Sequence, residues 1–227
     1  MNPVFSSNKP VTKSVLYSST VSATQNKVLR STYILLAMAL VLSAATAAFA
    51  IAIQAKPLGL LMTLGGYFGL LFLTHKTRNS AWGILSVFAL TGFMGFTLGP
   101  LVGAYWAAAP AVVMQALAGT AITFGGLSAY AVISKKDFSF MGNMLFVGIL
   151  VAFLAGLGAF FFEMPALSLA VSGAFVLLMS GLILFETSRI VSGGETNYIM
   201  ATVTLFVSIF NLFTSLLHIL GFMGGDD

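Results

Sequence analysis

Seven apolar stretches of about 20 residues, joined by short polar segments, constrain this chain more than any other feature of its sequence. At about 1.5 Å per residue, a helix of that length crosses about 30 Å of hydrocarbon. The pattern predicts an all-α membrane protein with seven transmembrane helices, the second of them short. We place the helices at residues 32–54, 57–74, 81–104, 111–133, 140–162, 166–188 and 198–222.

The composition indicates that the bilayer is the main surrounding medium of the chain. Only 7% of the 227 residues are charged and 59% are hydrophobic, whereas soluble domains carry about 25% charged residues. Cysteine is absent and there are two histidines, which is too few for a multi-histidine or thiolate metal centre. No phosphate loop, dinucleotide fingerprint or zinc-protease motif occurs. We therefore expect no enzyme activity, no cofactor, no metal and no nucleic-acid partner.

Three segments are expected along the chain. Residues 1–30 are polar and predict a flexible N-terminal tail. Residues 31–222 form the seven-helix transmembrane domain, and residues 223–227 form a short acidic C-terminal end. Ala48-Phe49-Ala50 resembles a signal-peptidase site. However, the polar region before the first stretch is 30 residues long and the stretch spans a full bilayer, which favours an uncleaved helix.

The basic residues predict the orientation. If the N-terminus is cytoplasmic and every stretch crosses, only Lys56 lies outside. The nine basic residues of the inner segments are Lys9, Lys13, Lys27, Arg30, Lys76, Arg78, Lys135, Lys136 and Arg189. Such an excess of inner lysine and arginine is typical of membrane proteins. The C-terminus, with Asp226 and Asp227, is then expected on the outside.

Small residues mark two helix faces for close packing. Gly92, Gly95 and Gly99 share a face of the third stretch, and Gly65 and Gly69 share a face of the second. Such faces let helix backbones approach one another in lipid. Pro100 predicts a kink near the end of the third helix.

Glu186 is the one charged residue placed inside a stretch, near the inner end of the sixth. A carboxylate near hydrocarbon is costly unless it is paired, hydrated or protonated. Two interpretations stay open. Glu186 pairs with Arg189 one turn later at the headgroup level, or it faces the bundle interior as a proton- or cation-sensitive group.

A polar stripe follows one side of the last stretch, opposite Leu205, Ile209 and Phe213. At about 100° per residue its members fall within a narrow arc, so this face is expected to turn toward protein or water. Interhelical hydrogen bonding and a polar pathway through the bundle are both compatible with it. The stripe consists of Asn197, Thr204, Ser208, Asn211, Ser215 and His218.

Several blocks of this sequence are similar to the Bax inhibitor-1 family, and to its bacterial branch in particular. They lie at residues 27–40, 62–77, 88–101, 118–145 and 183–222, the last with the specific sequence GGETNYI at 193–199. The resemblance implies a bacterial inner-membrane protein in which the last helix is surrounded by the other six. It also implies a partner, the membrane-bound ATP-dependent protease FtsH. The chain would bind and modulate FtsH as a slow competing substrate engaged through its N-terminal tail.

Resemblance to other bacterial members of that family implies an alternative function for this chain, a pH-sensitive leak for calcium or protons. Their sensor is a pair of aspartates, one on each of the last two helices. Glu186 matches the first and Ser208, which carries no charge, matches the second, so half of the sensor is missing here. The candidate proton- or cation-sensing residues are Glu186, Arg189, Ser208 and Asn211.

Overall fold

The computed structural model describes residues 11–224, with side chains described from Gln25 onward. This part of the chain forms seven α-helices, one short 3-10 helix and no strand, which confirms the all-α prediction. Apart from the start of α1, each helix begins and ends within a few residues of its predicted stretch. The elements are α1 Val11–Ala52, α2 Leu60–Thr77, α3 Trp82–Ala108, α4 Pro110–Ser134, the 3-10 helix Ser139–Met141, α5 Gly142–Phe161, α6 Pro165–Ser192 and α7 Tyr198–Met223.

The start of α1 differs from the prediction. The helix begins at Val11, so it extends through residues 11–30, which the sequence analysis assigned to a flexible tail. This segment contains neither glycine nor proline, and adding turns to an existing helix avoids the cost of nucleating a new one. Residues 1–10 and 225–227 lie outside the described residues, so the flexibility of the N-terminal end and the acidic C-terminal end stay predictions.

Six of the seven helices are long and apolar enough to cross a membrane, and α2 is not among them. It has 18 residues, and its last turn carries His75 and Lys76. At about 1.5 Å per residue it is roughly 27 Å long, close to the thickness of the hydrocarbon core. The protein is thus a membrane protein with several apolar helices, and the crossing of α2 stays a prediction.

The glycine face of α3 packs against α1, as predicted. A Cβ atom added at Gly95 would collide with the backbone of Ser43 and the hydroxyl of Thr46. One added at Gly99 would lie 2.5 Å from the Cβ of Ala50 and 2.8 Å from the carbonyl oxygen of Ala47. The two helix backbones therefore approach more closely than any larger residue allows. The helix continues through Pro100 to Ala108.

The glycine face of α2 does not pack against a helix, contrary to the prediction. Gly65 and Gly69 are exposed, and a Cβ added at either would meet no atom within 4 Å. The neighbouring Gly66 makes the contact instead, because an added Cβ there would collide with the ring of Phe93 on α3. Spacing alone defines a face of small residues, but it does not say which face of the helix turns toward a neighbour.

The centre of the bundle is α7. It packs against α1, α3, α4 and α6, and half of the residues in its most apolar stretch are buried, a larger share than in the other five long helices. The helices α2 and α5 lie farther out, where α2 packs against α3 and α5 packs against α6. Close contacts with α7 thus come from four helices, and not from all six as the family resemblance implies.

One end of the bundle collects the basic residues. Here the α2–α3 connection hydrogen-bonds to Asn197 at the start of α7, and Gly193 after α6 lies against Gln25 of α1. We call this the basic end. It carries all of the described lysine and arginine side chains except Lys56, which follows α1 at the opposite end. The basic residues here are Lys27, Arg30, Lys76, Arg78, Lys135, Lys136 and Arg189.

The α1–α3 contact makes the first prediction. The Gly95→Ala substitution should destabilise the protein by about 1–3 kcal/mol, because the added methyl group forces α1 and α3 apart. Thermal unfolding of the purified protein in detergent measures the effect. Gly69→Ala is the matched control, since its methyl group enters open space and should leave the unfolding temperature unchanged or raise it. Equal behaviour of the two variants would contradict the close α1–α3 approach.

Candidate functional site

The apolar side of α7 forms the core of the bundle. Leu205 and Ile209 are buried in one cluster with residues of α1 and α3, and Phe213 lies in a second cluster with Val112 and Val113 of α4. Burial of large side chains on this side fixes the rotation of α7 about its own axis. The polar stripe is therefore held toward the remaining neighbours, α6 and the space between α2 and α5.

Asn197 begins the stripe and joins two connections at the basic end. Its side-chain oxygen accepts hydrogen bonds from the backbone N–H groups of Ile199 and Met200, which makes it the N-cap of α7. Its side-chain nitrogen donates to the carbonyl oxygen of Arg78 at 3.1 Å and to the side chain of Asn79 at 2.9 Å. One side chain thus both starts α7 and ties it to the α2–α3 connection.

The middle of the stripe is hydrogen-bonded within α7 itself. The hydroxyl group of Ser208, which is fully buried, donates to the carbonyl oxygen of Thr204 at 2.7 Å. The side-chain nitrogen of Asn211 donates to the carbonyl oxygen of Val207 at 2.8 Å. These bonds satisfy polar side chains one turn back along the helix, where lipid offers no partner.

Asn211 also faces a cavity. The cavity has a volume of about 620 Å³ and lies between α2, α3, α5, α6 and α7. Its walls are mostly apolar, with Thr63, Tyr67, Thr97 and Thr214 as further polar residues. Asn211 retains its amide oxygen and one N–H group for a molecule in this space. The cavity separates α7 from α2 and α5 and explains why those helices make no extensive contact with it.

The far end of the stripe is bound to α6. His218 Nδ1 lies 2.8 Å from the hydroxyl oxygen of Ser172. The same hydroxyl oxygen lies 3.0 Å from the carbonyl oxygen of Ser168. When the hydroxyl group donates to Ser168, the Nδ1–H tautomer of His218 is the donor to Ser172. Ser215, one turn before His218, is also buried. Of the six stripe residues, Asn197 and His218 make hydrogen bonds to other parts of the bundle.

Glu186 is both buried and paired, so the structure has one feature of each of the two interpretations that the sequence left open. Its side chain is 2% exposed, and its carboxylate lies 3.3 Å from the Arg189 guanidinium group. Arg189 also lies 3.4 Å from the carboxylate of Glu195 in the α6–α7 connection. One guanidinium group therefore bridges a buried and a partly exposed carboxylate, and we call Glu186, Arg189 and Glu195 the charged triad.

The turn after α6 holds the charged triad in place. Gly193 has a φ of +81°, a conformation that glycine adopts without strain. The backbone N–H groups of Gly194 and Glu195 both donate to the carbonyl oxygen of Arg189, at 2.8 and 3.1 Å. The guanidinium group also lies over the ring of Phe185, 5.3 Å from its centroid. Gly193 and Gly194 thus turn the chain so that the side chain of Glu195 reaches Arg189.

Comparison with known proteins identifies the family of this chain. The family model described as "Inhibitor of apoptosis-promoting Bax1" matches residues 25–225. This chain belongs to the Bax inhibitor-1 family.

Several bacterial relatives are similar over nearly their whole length. The modulator of FtsH protease YccA of Escherichia coli K12 is 50% identical over 202 residues, which cover 88% of this chain and 92% of the relative. The inner membrane protein YccA of Escherichia coli O6:H1 shows the same identity and coverage. A membrane protein of Vibrio cholerae is 48% identical over 205 residues, covering 89% of this chain and 92% of the relative.

The Bax inhibitor-1 resemblance pairs Glu186 with Ser208, and the structure gives these residues different partners. Glu186 binds Arg189, whereas Ser208 donates to Thr204 on its own helix. Within the described part of the chain, no three histidine, cysteine, aspartate or glutamate side chains converge as a metal ion would require. The structure thus places one buried carboxylate, that of Glu186, beside the guanidinium group of Arg189, and not beside a second carboxylate on α7.

Sequence reasoning missed Ser188, which anchors the α4–α5 connection. Its hydroxyl group donates to the carbonyl oxygen of Lys136 at 2.8 Å and accepts from the backbone N–H of Phe138 at 3.0 Å. The nearby Asp137 is hydrogen-bonded by the side chain and the backbone N–H of Ser139, which lowers the pKa of Asp137 below its usual value. Ser188 lies between Glu186 and Arg189 in the sequence, and nothing in that pattern indicated this role.

The charged triad makes the second prediction. Arg189→Gln should destabilise the protein by about 3 kcal/mol, because it leaves the Glu186 carboxylate buried without a partner. The double variant Glu186→Gln/Arg189→Gln should recover most of that loss, since no charge is then left inside. Denaturant unfolding in detergent measures both. A double variant as unstable as the single one would show that the carboxylate of Glu186 is not what Arg189 stabilises.

Proposed function

We propose that this chain is an inner-membrane protein that binds and modulates the protease FtsH. The observation that carries the proposal is the 50% identity to the modulator of FtsH protease YccA, extending over 88% of this chain and 92% of that relative. A match that covers 88% of this chain extends far beyond one motif. Shared function is a reasonable expectation at that level, although a shared fold alone would not support it.

The proposed topology has seven crossings, with the N-terminus in the cytoplasm and the C-terminus outside. The basic end supports it, because lysine and arginine collect on the cytoplasmic side of membrane proteins. In this arrangement α2 crosses with His75 and Lys76 at the inner interface, and Lys56 is the one basic residue outside. Asp226 and Asp227 then follow α7 on the outer side.

The N-terminal segment is the proposed point of engagement. α1 extends from Arg30 back to Val11 beyond the predicted membrane stretch, and ten more residues precede it. An accessible chain end at the cytoplasmic side is what an ATP-dependent protease needs in order to pull. The close α1–α3 packing and the burial of α7 resist the pull, so the chain occupies FtsH for long and slows the degradation of other substrates.

The tail mechanism gives the third prediction. Deletion of residues 2–25 should lengthen the lifetime of the protein in cells with active FtsH, toward the lifetime in cells with an ATPase-dead FtsH. It should also abolish the slowing of other FtsH substrates, because the protease loses its point of engagement. A chase of protein levels after synthesis is stopped measures both effects.

Deletion of residues 225–227, at the opposite end of the chain, is the matched control for that experiment. Elution as a single species in size-exclusion chromatography shows that each variant is folded. Deletion of residues 225–227 should change neither the lifetime of the protein nor the lifetimes of the other substrates. If deletion of residues 2–25 also changed neither, engagement through the N-terminal tail would be wrong.

A pH-sensitive leak for calcium or protons is the second candidate function. Two features support it: the buried carboxylate of Glu186 in the charged triad, and the cavity beside Asn211 in the middle of the membrane helices. In this proposal Glu186 and Arg189 form the proton- or cation-sensing group. Asn211 lines the route, and Ser208 lies one turn before it on the same face of α7. The uncharged Ser208 argues against the two-carboxylate sensor of the leak-forming relatives.

Flux measurements decide on the leak and make the fourth prediction. In liposomes that contain the purified protein, calcium or proton flux between about pH 6 and 8 should depend on pH in the wild type, and Glu186→Gln should remove that dependence. Glu195→Gln is the control, because it changes the more exposed carboxylate of the triad. An unaltered pH profile in Glu186→Gln would exclude Glu186 from any such mechanism.

A further inference from the structure

Apart from the cavity beside Asn211, a groove lies at the basic end, on the outer surface of the bundle between α1 and α4. It has a volume of about 570 Å³, and all of its lining residues belong to these two helices. We propose that this groove binds an anionic phospholipid of the leaflet at the basic end, with the phosphate group at Arg30 and one acyl chain along α4. Neither the polar stripe nor the charged triad takes part in it.

The groove exists because α1 and α4 are held apart. α1 packs against α3, α6 and α7, and α4 packs against α3, α6 and α7, so the two helices share neighbours without closing on each other. Gly125 contributes to the space, because a Cβ atom added there would meet nothing within 4 Å. Beside it, Leu29, Tyr33 and Phe124 provide apolar and aromatic walls for a hydrocarbon chain.

Charge and polarity are concentrated at one end of the groove. Arg30 and Asn26 line it there, and both are exposed. Among the described residues no carboxylate forms an ion pair with Arg30, so its guanidinium group is available for a phosphate. Lys135 and Lys136 directly follow the last residue of α4. Basic pockets between membrane helices on the cytoplasmic side are typical sites for anionic headgroups.

Ser128 is the independent observation that points to a ligand. It lines the groove and is 5% exposed, and its buried hydroxyl group has no hydrogen-bond partner in the described part of the chain. Other membrane serines here, such as Ser180 and Ser208, donate to the carbonyl oxygen one turn earlier. An unpaired buried hydroxyl is unfavourable. Lipid ester oxygens are acceptors, and Ser128 lies about 9 Å from the end of α4, just below the headgroup level.

The apolar walls distinguish a lipid from a free anion. Inorganic phosphate could occupy the site at Arg30, but it would leave the apolar part of the groove empty. The inference rests on the membrane embedding and the orientation given under the proposed function. It does not depend on FtsH, because the lipid is offered to the purified protein alone.

Lipid titration of the purified full-length protein in detergent tests the proposal. Dioleoyl phosphatidylglycerol, dioleoyl phosphatidylcholine and inorganic phosphate are added separately, and thermal unfolding and lipid retention in native mass spectrometry are measured. Phosphatidylglycerol should raise the unfolding temperature and remain bound, whereas the other two should not. Equal effects of the two lipids would overturn the role of charge, and an equal effect of phosphate alone would overturn the role of the acyl chain.

Two pairs of variants locate the site. Arg30→Gln should weaken phosphatidylglycerol binding about fivefold, the factor that corresponds to about 1 kcal/mol per basic residue, and Lys56→Gln at the opposite end should not. Gly125→Leu should fill the groove and reduce binding. Gly126→Leu is its matched control, because Gly126 is also exposed to open space but does not line the groove. Equal binding by the two members of either pair would show that the lipid binds elsewhere.

Discussion

The absence of water in the hydrocarbon core is the constraint on which the rest of this structure depends. A polar group placed there is costly unless it has a hydrogen-bond partner, and most such groups find that partner within the protein. The hydroxyl groups of Thr74, Thr120 and Ser180 donate to carbonyl oxygens one turn back on their own helices, as Ser208 and Asn211 do on α7. The bundle therefore accommodates many polar side chains at little cost, without using them to join helices.

Polar contacts between helices are concentrated near the basic end. Tyr33 contacts Thr187 across α1 and α6, and Thr202 of α7 donates to the carbonyl oxygen of Thr32 on α1. Together with Asn197, Ser188 and the charged triad, these bonds connect three loops, the middle of α1 and the start of α7. This half of the protein is accordingly fixed by directional bonds, whereas the opposite half is joined mainly by apolar packing and by the Ser172–His218 bond.

Hydropathy predicted the helices well because length and apolarity are properties of each segment alone. The polar stripe could be predicted for the same reason, since spacing along one helix defines its faces. What spacing does not define is the neighbour. Gly95 and Gly69 occur in similar patterns, yet one meets α1 and the other meets open space. The partners of Ser188 are about 50 residues away in the chain, and no local pattern indicated them.

The α1–α3 contact has a mechanical consequence. A force applied to the N-terminal end acts along the axis of α1, and the contact with α3 runs parallel to that axis through Gly95 and Gly99. Parallel loading shears the interface, so the contacts along it share the force and yield together rather than opening one after another. A motor that draws the chain in from this end thus loads the α1–α3 interface first, before it reaches any other part of the bundle.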